Sequence, residues 1–79
     1  MNVTDMEDRR MSVDKGQIYV LTDRTGFTHT VTVDHVAEYL FDDGAIENAI
    51  VDGNGLEWPL GSYRVDRPGL MWRARHAFR

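Results

Sequence analysis

Seventy-nine residues, 13 Asp and Glu against 9 Lys and Arg, a net charge of −4 and no cysteine describe one small domain that neither a disulfide framework nor thiolate zinc can staple. No apolar run approaches the ~20 residues of a membrane-spanning helix, and the N-terminus lacks the apolar core of a signal peptide, so the expectation is a cytoplasmic protein without a membrane partner. The charge is unevenly placed. From Thr25 to Tyr63 there are seven carboxylates (Asp34, Glu38, Asp42, Asp43, Glu47, Asp52 and Glu57) and no Lys or Arg, whereas Arg64, Arg67, Arg73, Arg75 and Arg79 stand against Asp66 alone in the remainder.

In chain order, residues 1–14 mix charges without a period and predict a flexible N-terminal arm, leaving 15–79 as a single α+β domain. Residues 17–22 are β-branched and aromatic, and the turn Asp23-Arg24-Thr25-Gly26 leads into a strict alternation. Phe27, His29, Val31 and Val33 take one face of that second strand, and Thr28, Thr30 and Thr32 the other. At Asp34 the period changes from 2 to 3.6: Val33, Val36, Ala37 and Leu40 recur at helical spacing, Asp34 suits an N-cap and Gly44 a stop. A short helix over 34–44 is predicted, with Asp34, Glu38 and Asp42 along its exposed side. Residues 45–51 read as a strand, and Asp52-Gly53-Asn54-Gly55 as a hairpin turn with glycines at both candidate positive-φ positions. Leu56, Trp58 and Leu60 continue as a strand that Pro59 assigns to an edge; Gly61-Ser62 turns again, and Tyr63 and Val65 form the next strand. Residues 70–79 fit either a strand or a helix. The fold expected is α+β: an antiparallel β-meander of about five to six short strands with one short helix packed on the sheet.

Nothing in the chain carries catalysis by motif. There is no cysteine, G-x-S-x-G or P-loop, and adjacent carboxylates such as Asp42 and Asp43 point apart on a helix. His29, His35 and His76 lack metal-ligand spacing, so no enzyme activity, metal or cofactor is expected. Binding remains. An ordinary surface mixes both signs, and half of this chain does not. A helical row supplies one carboxylate per ~6 Å, about half the density of a DNA strand with a phosphate every ~3.4 Å, so Asp34, Glu38 and Asp42 need Asp43, Glu47, Asp52 and Glu57 beside them to imitate a nucleic acid. The bland alternative is a solvated helix face. Arg73, Arg75 and Arg79, interleaved with Trp72 and Phe78, have the composition of a phosphate-binding strip, or they pair with the protein's own acids or an acidic patch elsewhere. The pI of about 5.1 argues against direct nucleic-acid contact.

In size, lack of cysteine, α+β pattern and the lysine-free acidic middle from Asp34 to Glu57, the chain resembles the small phage-encoded anti-CRISPR proteins acting on type I complexes. That resemblance implies a non-enzymatic inhibitor whose acidic face, Asp34, Glu38, Asp42, Asp43, Glu47, Asp52 and Glu57, occupies a basic DNA-binding surface. The implied partner is a basic nucleic-acid-binding protein such as a type I CRISPR surveillance complex in a bacterial host, met by a monomer or weak dimer. The Arg-rich end from Arg64 to Arg79 departs from a pure DNA mimic. The alternative is a small phage or accessory interaction and assembly module without DNA mimicry.

Overall fold

The computed structural model describes residues 1–69, so the strand-or-helix question for 70–79 lies outside the described residues. In order, the elements are β1 (Asn2–Thr4), β2 (Arg10–Ser12), β3 (Ile18–Asp23), β4 (Thr28–Leu40), β5 (Ile46–Asp52), β6 (Glu57–Pro59), a 3-10 turn (Leu60–Ser62) and β7 (Tyr63–Asp66). Strands β3 to β6 form an antiparallel meander, and β7 returns to the far side of β3, giving the order β6-β5-β4-β3-β7. The meander, the hairpins and the edge position of Pro59 match the sequence reading; the helix does not.

Residues 34–44 continue β4 and turn into β5. The reason is a β-bulge: Val33 pairs with Asp52 and His35 with Val51, leaving Asp34 as the extra residue. One inserted residue stretches a two-residue spacing to three, so Val33 and Val36 share a face of a strand at a separation that imitates a helix. Ala37, counted in the helical stripe, points to the opposite face, beside Ala49.

Residues 1–14 are likewise no loose arm. Strands β1 and β2 pair as a separate hairpin, and Val3 and Val13 enter the same core as Tyr19, Leu21, Val31, Val33, Ile50, Leu60 and Val65. The turn of this hairpin covers the outer edge of β7: Met6 N–H donates to Tyr63 O (3.0 Å), and Val65 N–H donates to Asp5 Oδ2 (3.1 Å). The Arg9 guanidinium donates to Val65 O (2.8 Å). An edge that would template aggregation is thereby capped.

The five strands curl. In a flat sheet β6 and β7 would lie about 19 Å apart, four strand spacings, yet the rings of Trp58 and Tyr63 are 5.7 Å apart, with His29 of β4 at 5.2 and 5.9 Å from them. The concave side holds the core, and Leu60 of the 3-10 turn, fully buried, packs into the same cluster.

Candidate interaction surface

Three of the tight turns are built alike, each around one aspartate. Asp5, Asp23 and Asp52 each accept, at one carboxylate oxygen, the N–H groups two and four residues on, at 2.9 and 3.1, 2.9 and 3.1, and 2.9 and 3.0 Å. Each carbonyl also accepts the N–H three residues on. The third following residue takes positive φ: Asp8, Gly26 and Gly55 at 59°, 91° and 81°. This is a type I turn closed by a left-handed residue, whose backbone donors the aspartate saturates. The second carboxylate oxygen then reaches a side chain: Arg9 Nε and Nη2 for Asp5, His29 Nε2 at 3.3 Å for Asp23, Trp58 Nε1 at 3.1 Å for Asp52. Two of these turns, at 23–27 and 52–56, thus anchor the adjacent, mutually tilted rings of His29 and Trp58, while Phe27 and Leu56 stay exposed. The signal was in the sequence as Asp-x-x-Gly twice; at Asp5 the left-handed residue is Asp8, and that disguises the repeat.

The seven carboxylates expected to form one acidic surface are divided by this architecture. Asp52 is spent on its turn, and the Trp58 N–H, with the Leu56 and Asn54 amides, holds its carboxyl below the usual range. Glu47 accepts the Gly61 N–H at 3.1 Å, tying β5 to the 3-10 turn. Glu57 stands with Tyr39 on the convex face and pushes the phenol's pKa up; since β4 and β6 flank β5, the Tyr39 side chain crosses β5, where Ala49 is fully buried on that side. Asp34, at the bulge, lies 2.7 Å from His35 Nδ1, a contact that lowers its pKa.

Glu38, Asp42 and Asp43 remain together on the outer half of the β4–β5 hairpin. The face that is core at Val36 and Ile50 continues outward as Glu38 opposite Asn48 and Leu40 opposite Ile46. Leu40 and Ile46 are 75% and 66% exposed, and Phe41 is exposed beside them. Asp42 and Asp43 form the tip, where Asp43 Oδ1 accepts the Ala45 N–H at 2.9 Å. Among the described residues, none of the seven carboxylates forms an ion pair with Lys or Arg.

Among the described residues no group of three or more His, Asp or Glu side chains is placed to hold a metal, and no helix is long and apolar enough to cross a membrane. Compared with known protein families, characterised proteins and solved structures, the chain matches none.

Proposed function

We propose that this protein is a non-catalytic binding protein that docks the outer half of its β4–β5 hairpin on a basic surface of a nucleic-acid-handling partner, the kind of target the likeness to anti-CRISPR proteins suggests. One observation carries the reading: Glu38, Asp42 and Asp43 surround exposed Leu40, Phe41 and Ile46 at a projecting tip, with no cationic side chain paired to them among the described residues. Exposed carboxylates steer the encounter, and the apolar side chains then supply area to bury. This division of labour replaces a phosphate-spaced row, because successive residues of a strand face opposite sides and Glu47 and Glu57 lie on the convex face. Recovery with the native protein but not with the Glu38→Lys/Asp42→Lys/Asp43→Lys variant, from cells expressing type I surveillance complexes, is the direct test. The association rate should fall about tenfold or more in that variant and decline with salt in the native protein. A folded triple variant that binds as before removes the reading.

The same apolar tip favours a second reading, an assembly module in which Leu40, Phe41 and Ile46 meet a like surface. Salt-insensitive self-association, lost on Leu40→Ser/Ile46→Ser, would support it.

A further inference from the structure

Strand β4 outruns its neighbour. Strand β3 starts at Ile18, and the ladder on that side ends where Gly16 N–H donates to Val33 O (2.8 Å) and Val33 N–H to Gln17 O (3.0 Å). Beyond the bulge β4 runs on to Leu40, paired only with β5 among the described residues. The direction of each amide follows from the turn at the tip. Phe41 N–H donates to Ala45 O at 2.8 Å, so Phe41, Tyr39, Ala37 and His35 direct their backbone groups to β5, and Val36, Glu38 and Leu40 direct theirs away. Those three N–H and three C=O groups have no partner among the described residues.

We infer that the Val36–Glu38–Leu40 edge is a strand-accepting site for an extended segment of the partner protein, with a basic residue placed between two apolar ones at alternate positions. The inference rests on the docking reading above and adds the mode of contact. Side chains of an added strand align with those of β4, so its row on the concave face meets Val36, Glu38 and Leu40 in turn, which calls for apolar, cationic and apolar groups. Backbone bonds give such a contact its affinity and the side-chain row its selectivity. Charge decides the occupant. A second copy would bring Asp34, Glu38, Asp42 and Asp43 of two hairpins together and is repelled, whereas a cationic strand is attracted.

The probe is a nine-residue peptide with valine, arginine and valine at successive alternate positions and threonine between them. Its control carries N-methyl groups on the ladder-donating amides, which keeps the charge and the side chains. With the full chain, hydrogen exchange at the Val36, Glu38 and Leu40 amides should be fast alone and slowed at least tenfold by the peptide. The N-methylated peptide should bind at least tenfold more weakly. Equal binding of the two peptides overturns the strand-addition site while leaving salt-steered docking intact. Failure of both peptides to bind also overturns it, and loss of the charge-reversal effect is what would remove the docking reading itself. Protection of the three amides in the free, dilute chain overturns it too, since the edge would then already be filled, by residues 70–79 or a second copy.

Discussion

A left-handed backbone costs a β-branched residue more than it costs glycine, and that asymmetry separates two glycines that look equivalent in Asp52-Gly53-Asn54-Gly55. Gly55 has φ +81° while Gly53 takes an ordinary conformation, and neither has an atom near the position of an added Cβ. Gly55→Val should therefore lower stability by about 1–2 kcal/mol, and Gly53→Val by no more than about 0.5. Thermal melting of the two variants checks this, and equal losses would refute it. The three turn aspartates also set an acid limit. At Asp5 burial pushes the carboxyl up, but the Val65, Arg9 and Glu7 amides and the Arg9 guanidinium outweigh it and hold it below 3.8. At Asp23 the Thr25 hydroxyl leads a similar lowering, and at Asp52 the Trp58 N–H does. A carboxyl whose pKa is lower in the folded state stabilises above its unfolded value and loses that contribution as pH falls through the folded one. Stability should be flat through neutral pH and decline below about pH 4. In Asp5→Asn/Asp23→Asn/Asp52→Asn, acid melting curves should lose most of that slope.

Elements succeed or fail by how many neighbours hold them, and the N-terminal hairpin shows it. The Asp5 side chain, fully buried, receives Val65 N–H, Glu7 N–H, Arg9 N–H and the Arg9 guanidinium. Asp5→Ala strands those donors and should cost about 2–4 kcal/mol, read as a lower urea midpoint at an unchanged slope. A loss below 1 kcal/mol would mean that the turn closes β7 without its aspartate. The first half of β4 was legible because its alternation is local and uninterrupted and β3 because its residues are β-branched and aromatic, and Pro59 marked an edge because an absent donor has the same meaning wherever it falls. The helix was misread because a bulge at Asp34 gives a strand a three-residue step, and a periodicity count does not distinguish that from a turn of helix. Residues 1–14 were misread because the left-handed Asp8 disguises their turn and the contacts that hold their hairpin in place reach Val65 and Tyr63, some sixty residues away, which no local pattern shows. For the seven acids named from the sequence, it was their partition between faces that the sequence did not show: register decides which face Glu38, Glu47 and Glu57 occupy, and register was hidden by the bulge.

At the scale of the molecule, the field is that of an acidic body with a net charge of −4, and two arginines at β7, Arg9 and Arg64, are already engaged. Arg9 pairs with Asp5 and Asp66, and Arg64 Nε lies 2.8 Å from Asp66. Polyanions should be repelled at long range. No mobility shift of single- or double-stranded DNA should appear at micromolar protein and physiological salt. A shift that weakens steeply as salt rises would instead favour a nucleic-acid-binding domain using Arg73, Arg75 and Arg79, residues that lie outside the described structure.

The clasp between Asp5 and Val65 also orders events in time. The pairings β3–β4, β4–β5 and β5–β6 join neighbours along the chain, whereas the clasp closes a loop spanning 60 residues, and the entropy of so long a loop is met only after local pairing has shortened it. Closure of the N-terminal hairpin over β7 is then a late step, absent from the folding transition state. Asp5→Ala should accelerate unfolding by roughly the whole of its equilibrium cost and leave the refolding limb of a chevron nearly unmoved. A slowed refolding limb would place the two ends of the chain together at the start of folding rather than at its close.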